Sequence, residues 1–396
     1  MRELLRTNDH VALSLAMALL KDAEIECVIF DTHSAIIEGS ISAIQKRMMV
    51  LDEDYAVAVI ARLEGSQSKG TPNALDDLRE LCATDFARVN QLIVDHMQSD
   101  VPLIPELAGH LVAAGGKRLR PLLTLASARL CGYDGDKHIG LAAAVEFIHT
   151  ATLLHDDVVD ESDLRRGRDT ANAVWGNQAS VLVGDFLFSR AFRLMVESES
   201  LKVLEILANA SAVIAEGEVA QLTTANDTAT TEEDYLYVIR SKTAALFAAA
   251  CEVGGHIADR HSEDEAALDQ YGANLGIAFQ RVDDYLDYSA TDKAFGKGVG
   301  DDFREGKITL PIVLALRRGD DKERVFWKRT LEDLDQQDGD LERAIEILNA
   351  HDALSDTLIR ARGYADTARA ALATLPDNAH RSALENVVDF CVERAY

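Results

Sequence analysis

This sequence is short of the residues that interrupt helices and of those that staple small domains. Six prolines in 396 residues leave long stretches with nothing to stop a helix. The five cysteines, Cys27, Cys82, Cys131, Cys251 and Cys391, are scattered, with no Cys-x-x-Cys pair and no metal-ligand spacing. That argues against a disulfide framework or a zinc site and for free thiols in a reducing compartment. No apolar run of about 18 residues occurs. The longest candidate, Leu141–Leu154, is interrupted by Glu146 and His149, so no transmembrane segment is expected. Arg2, Glu3, Arg6 and Asp9 would spoil a signal-peptide core, and a cytoplasmic location follows as an expectation. Positive charge is also scarce. A net charge of −27 argues against nonspecific binding to nucleic acid or anionic lipid.

What is present reads as an ordinary globular protein, 47% hydrophobic and 27% charged, and long enough for two domains. Residues 65–73 (Gly-Ser-Gln-Ser-Lys-Gly-Thr-Pro-Asn) collect turn formers with no apolar period and form the expected linker. Before it, residues 1–64 alternate short β-rich runs (Glu3–Arg6, Ile25–Phe30, Arg47–Leu51) with helical spacing at Val11–Lys21 and Glu53–Leu63. A small α/β domain of βαββα type fits. After it, residues 74–396 are almost wholly helical. Segments 75–98, 102–114, 120–131, 138–157, 176–196, 200–222, 232–252, 264–288 and 308–317 carry a 3.6-residue apolar period, which predicts a mainly α fold, a large helical bundle.

Two Asp-rich quintets lie in this region. Asp156-Asp157-Val158-Val159-Asp160 and Asp283-Asp284-Tyr285-Leu286-Asp287 each place carboxylates at i, i+1 and i+4 within an apolar helix. Positions i and i+4 share one face, and like charges there repel. One such cluster could be a helix cap or a solvated face. Two in apolar settings call for counter-charge. Hard oxygen ligands suit Mg²⁺, which takes one or two carboxylates, waters and a substrate phosphate. The residues therefore point to metal-held phosphate or diphosphate.

Other candidates surround them. Gly115-Gly116-Lys117-Arg118-Leu119-Arg120-Pro121 is a Gly-hinged basic loop whose Lys117 and Arg120 can reach a diphosphate. His149 lies two turns before Asp156. Arg165-Arg166 follows the first quintet. Lys242-Thr243 interrupts an Ala-rich helix. Gln280 precedes the second quintet, and Lys297, Asp301-Asp302 and Glu305–Pro311, with Lys307, follow it.

In this order and spacing, Gly115–Pro121, Glu146–His149, Leu153–Asp160, Arg165–Gly167, Lys242-Thr243, Phe279-Gln280, Asp283–Asp287 and Glu305–Pro311 resemble the trans-prenyl diphosphate synthases over residues 74–396. The segment His149–Ser189 is most similar to long-chain bacterial members that make quinone side chains. The resemblance implies an all-helical isoprenoid-synthase bundle and a likewise family-typical homodimer. It implies Mg²⁺ held by Asp156, Asp160 and Asp283, supported by Asp157, Asp284 and Asp287. Arg165, Lys242 with Thr243, Gln280, Lys297 and Lys307 would bind the allylic diphosphate, and Lys117, Arg120, His149 and Arg166 isopentenyl diphosphate. It implies no catalytic nucleophile, since ionisation of the allylic C–O bond is followed by attack of the isopentenyl double bond and loss of a proton. Ala151 and Thr152, about 6–8 Å along the helix from Asp156, leave room for a growing tail where bulky aromatics would block it. A product of octaprenyl to decaprenyl length is expected, one that dissolves in membranes although its maker does not span them. Phe147, or Phe186, Phe188 and Phe192, is expected to form the floor.

Arg281 stands where the family carries an apolar residue, and is expected to snorkel to solvent or reach a partner subunit. Residues 1–64 resemble the small DUF2007 family through Glu3–Asp9, Phe30–His33, Ile37–Ser40 and Arg47–Asp54, implying a regulatory or protein-contact module. Competing functions are a shorter-chain (geranylgeranyl) synthase, against which Ala151 argues, and a terpene cyclase, which has no use for the basic loop. A non-catalytic regulatory subunit of a heteromeric synthase should have lost aspartates from a quintet.

Overall fold

The computed structural model describes residues 2–7, 27–30 and 46–50 as backbone, and residues 74–113, 117–165, 168–289 and 300–393. The chain divides into two compact units, Met1–Asn73 and Ala74–Tyr396.

In the first unit, β1 (Arg2–Thr7), β2 (Cys27–Phe30) and β3 (Lys46–Val50) form an antiparallel sheet in the order β1-β3-β2. The central strand sets Arg47 between Arg6 and Phe30, and the β1 register slips between Glu3 and Leu5. All three expected strands are there. The helices expected at 11–21 and 53–63, and the linker, lie outside the described residues.

The second unit is the expected helical bundle. α1 (Ala74–Leu81) and α2 (Ala83–His96) divide at Cys82, where one helix had been expected. α3 (Leu103–Ala113), α4 (Leu119–Leu130) and α5 (Lys137–Val159) follow. A two-residue hairpin, β4 (Leu164–Arg165) and β5 (Arg168–Asp169), then leads through α6 (Ala171–Trp175) to α7 (Asn177–Glu197) and α8 (Leu201–Thr224). The long helix expected at 232–252 is α9 (Glu232–Ile239) and α10 (Ala245–Ile257), joined by a five-residue π turn, Arg240–Ala244. α11 (Ser262–Ser289) carries the second quintet. α12 (Asp301–Arg304) and α13 (Leu310–Arg318) precede α14 (Asp321–Trp327), α15 (Asp340–Ala350), α16 (Ala353–Ala371) and α17 (Ala379–Glu393), the last four in a part of the helical region where the apolar period marks no individual segment.

Burial of one apolar face explains most of these helices. Leu122, Leu125, Val145, Ile148, Leu154, Leu187, Phe247 and Leu275 are all nearly inaccessible and belong to one core. α5 packs along α7, and α10 lies between α4 and α11. Two glycines of α11 let it approach α10 and the preceding π turn closely. A Cβ at Gly272 would sit 2.3 Å from the Phe247 carbonyl oxygen, and one at Gly276 2.7 Å from Ala244 Cα. A second core around Trp327, Ile312, Leu314, Ile347 and Leu348 supports the segment after the second quintet.

Candidate active site

Both quintets sit at helix C-termini. Asp156 and Asp157 lie in the last turn of α5, and Asp160 is its capping residue. Asp283, Asp284 and Asp287 occupy the last two turns of α11. A helix C-terminus carries partial negative charge, so carboxylates there are doubly disfavoured unless cations meet them. Neither helix has a basic residue in its last turn. The counter-charge comes from other elements.

At the first quintet each aspartate has a cationic partner from a different segment. Lys242 Nζ, on the π turn, is 3.2 Å from Asp156 and 2.7 Å from Glu218 of α8. Arg165, on the hairpin, donates to Asp157 from Nε at 2.8 Å and approaches it with Nη2 at 2.7 Å. Lys307, before α13, donates to Asp160 at 3.0 Å and also pairs with Glu305. Burial raises the Asp157 carboxyl despite Arg165, while Asp156 and Glu218 raise the Lys242 ammonium against its own burial. Burial and the neighbouring Asp156 push Glu218 up to about 7.

Asp284, in the second quintet, is met by neutral donors. The Tyr235 hydroxyl donates to it at 2.6 Å and the Gln280 amide at 2.9 Å. Burial, then Asp302, push its carboxyl up to about 7 although both donors oppose the shift. The Asp302 backbone N–H donates to the Asp287 side chain at 3.1 Å, and the Gly300 N–H to the Asp287 carbonyl at 2.8 Å.

Two bridges bring the quintets into one site. Lys242 reaches Asp156, while the adjacent Thr243 hydroxyl donates at 3.0 Å to the Gln280 oxygen and so to the neighbourhood of Asp284. Residues 300–307 repeat the arrangement, with Asp302 on Asp287 and Lys307 on Asp160. The π turn allows the first bridge, and Gly217 on α8 allows the π turn: a Cβ there would stand 2.6 Å from the Ser241 Cβ and 2.9 Å from the Lys242 nitrogen.

The basic loop forms a separate group. Arg118 adopts a left-handed conformation (φ 46°), lies 3.9 Å from Glu146 and bonds Asn90. Arg120 Nη1 is 3.1 Å from His149 Nε2, and its guanidinium lies 4.4 Å from the centre of the Phe247 ring. The Lys117 ammonium lies 4.6 Å from the centre of the Phe390 ring. Gly115, Gly116, Arg166 and Lys297 lie outside the described residues. Ala151 and Phe147 are fully buried, and the Thr152 hydroxyl donates to the His149 carbonyl. Phe192 is 45% exposed.

Arg281 corrects its expectation. It neither snorkels nor is offered to a partner: it is buried, with its guanidinium 4.6 Å from the Tyr364 ring centre on α16. The covering ring supplies a face that substitutes for water around the charge. Glu218, Tyr235 and Gly217 were missed. A single Glu, Tyr or Gly within a helix gives no sequence signal, and only the fold shows what each one faces.

Among the described residues no three His, Cys, Asp or Glu side chains are grouped to hold a metal ion by themselves. The donors still fit Mg²⁺: they are hard carboxylate oxygens, two helix C-termini add negative potential, and burial with the neighbouring Asp302 pushes the Asp284 carboxyl up to about 7.

Residues 101–348 match the polyprenyl synthetase family, and residues 1–61 the family described as "Putative prokaryotic signal transducing protein". The chain is 49% identical over 322 residues to octaprenyl diphosphate synthase of Escherichia coli, covering 81% of this chain and 99% of that one. A decaprenyl diphosphate synthase from Rhodobacter capsulatus has a similar structure, with a TM-score of 0.79 at 57% identity over 81% of this chain and 99% of that one. A polyprenyl synthase from Caulobacter crescentus, solved with calcium and isoprenyl diphosphate, gives a TM-score of 0.79 at 55% identity, over 83% of this chain and all of that one. No helix among the described residues is long and apolar enough to cross a membrane.

Proposed function

The chain belongs to the polyprenyl synthetase family, and from that premise we propose that it is a prenyltransferase that adds isopentenyl diphosphate repeatedly to an allylic diphosphate to make a long all-trans polyprenyl diphosphate. The observation that carries this reading is the bridge at Lys242 and Thr243. Neighbouring residues link the two quintets, so one bound diphosphate can meet both.

Asp156, Asp157, Asp160, Asp283, Asp284 and Asp287 would hold Mg²⁺, with Asp157 and Asp284 the buried supports. Bound Mg²⁺ supplies Lewis-acid charge that helps the diphosphate depart from the allylic carbon. Lys242, Arg165 and Lys307 now spend their charge on aspartates. Once those carboxylates are otherwise neutralised, the three cations can turn to the departing diphosphate, assisted by Gln280, Thr243 and Lys297. Lys117, Arg120, His149 and Arg166 hold isopentenyl diphosphate away from the aspartates, so its double bond is free to attack the allylic cation. The released diphosphate takes the proton, and no side-chain base is required. Family resemblance also supports a homodimer, a quinone as destination of the tail and a cytoplasmic setting, the last in keeping with the buried free thiols of Cys82, Cys131, Cys251 and Cys391. Residues 1–64 are read as a regulatory or contact module; a chain lacking residues 1–70 should keep most of its synthase activity, and a folded but inactive truncation would overturn that expectation.

The test is product analysis. Farnesyl diphosphate, excess isopentenyl diphosphate and Mg²⁺ should give a ladder ending at one long prenyl diphosphate by mass spectrometry, abolished by EDTA. A ladder ending at geranylgeranyl diphosphate would favour the short-chain alternative, and no product from the folded protein a regulatory subunit. Ala151→Phe should shorten the product. An unchanged length in a folded variant would show that Ala151 does not line the path of the tail.

A further inference from the structure

The cations of the site are held in two different ways. Those beside the first quintet are paired with carboxylates, Lys242 with Asp156, Arg165 with Asp157 and Lys307 with Asp160. Of the three described cations of the basic loop, Arg118 lies near Glu146, while the other two lie over aromatic faces, Arg120 on Phe247 and Lys117 on Phe390. The distinction matters chemically. A carboxylate neutralises a cation and competes with a diphosphate for it. A ring face attracts the cation through its quadrupole and fixes its position without itself adding a negative charge.

Phe390 belongs to α17, the last helix, which packs against α1 and α4. It is partly buried against the main core, so its ring is anchored. The Lys117 main chain is fixed as well: its carbonyl accepts from Arg79 Nη2 at 3.0 Å, and the next residue, Arg118, is held by Glu146 and Asn90. Between a pinned backbone and an anchored ring, the flexible lysine stem has few rotamers left. An exposed lysine otherwise carries a side-chain entropy among the largest of any residue, which a ligand must overcome.

We propose that Phe390 is a positioning residue of the isopentenyl-diphosphate site, its ring holding the Lys117 ammonium in place so that the C-terminal helix helps set affinity for the metal-free diphosphate. This rests on the functional reading above, in which Lys117 contacts isopentenyl diphosphate. Phe390 does not itself touch the reacting atoms.

Steady-state kinetics on the full chain, varying each substrate separately, tests the idea. Phe390→Leu keeps the apolar bulk and removes the quadrupole. It should raise KM for isopentenyl diphosphate about two- to fivefold, with KM for farnesyl diphosphate unchanged. Phe390→Trp keeps a ring face and should hold KM for isopentenyl diphosphate near the wild-type value. In a Lys117→Gln background, Phe390→Leu should add nothing, whereas a merely structural role would act regardless of residue 117. An unchanged KM, an equal rise for both substrates, or an undiminished effect in the Lys117→Gln background overturns the proposal. So does a rise in Phe390→Trp equal to that in Phe390→Leu. Wild-type protein run in parallel separates the two levels: if it consumes no isopentenyl diphosphate, the functional reading fails, and if it does, only the role of Phe390 is at stake.

Discussion

The two Asp quintets share their Asp spacing and lie near helix C-termini, yet the aspartates of the first are met by cations and Asp284 of the second by neutral donors. At the first, Lys242, Arg165 and Lys307 arrive from three separate segments, one on each aspartate. At the second, Asp284 is held by a phenol and an amide, and Asp287 by a backbone N–H. Ion pairing leaves an aspartate charged and its partner releasable. Hydrogen bonding in a buried pocket fixes the aspartate's position but leaves its charge under-compensated, which is why Asp284 is pushed up to about 7. The first quintet is thus suited to exchanging partners, and Asp284 to holding still.

The largest effect that would break this contrast is on activity at the first quintet. Asp156→Asn should lower kcat/KM with farnesyl diphosphate by about 10²–10³-fold, the scale for losing one preorganised electrostatic contact. Its thermal stability without Mg²⁺ should stay near wild type, because Lys242 keeps Glu218. A large loss of stability instead would mean that the Asp156–Lys242 pair is architectural. A middle-sized effect is expected at the second quintet. Tyr235→Phe removes a donor from a buried carboxyl and should destabilise the fold by about 1–3 kcal/mol in denaturant titrations, with activity under assay conditions falling far less than in Asp156→Asn. Equal stability of Tyr235→Phe and wild type would show that Asp284 does not depend on that hydroxyl.

The smallest effect uses an aspartate outside the site. Asp85 is buried, but Arg129 holds it through two bonds (2.8 and 3.0 Å) and His138 through one at 2.9 Å. Burial raises its carboxyl, and the two partners more than reverse that, leaving it below the ordinary value of 3.8. A depressed carboxyl adds stability above its unfolded pKa and loses that stability as the pH falls through the folded value. Asp85→Asn should therefore lower Tm at neutral pH and flatten the decline of Tm below about pH 4. A variant whose Tm still falls as steeply on acidification would show that other carboxylates govern that limb.

Much of the architecture is visible in the sequence because it rests on local pattern. The helical bundle follows from apolar period, the three N-terminal strands from β-rich runs, and the quintets from spacing alone. The break at Cys82 is less visible, since residues 75–98 keep a continuous period through it. Nor is the hairpin that aims Arg165 at Asp157, because strands of two residues carry no period at all. Glu218 illustrates the general limit. Within an Ala-rich helix it looks like one more solvated carboxylate, and its 2.7 Å contact with Lys242 exists only because Gly217 lets α8 touch the π turn. Arg281 illustrates it from the other side: a cation expected in water is buried because Tyr364, from a distant helix, covers it.

The π turn at Arg240–Ala244 also constrains how this chain can vary in length. Each helical residue advances the side-chain direction by about 100°, and a π turn carries one residue more than an α turn. That extra residue sets the rotational phase of everything downstream in α10. A single-residue deletion there could regularise the hydrogen bonding, yet it would swing Phe247 off Arg120 and rotate Cys251 out of the core in the same stroke. A change that looks like a repair of the helix would dephase it, so the segment should tolerate insertions or deletions poorly.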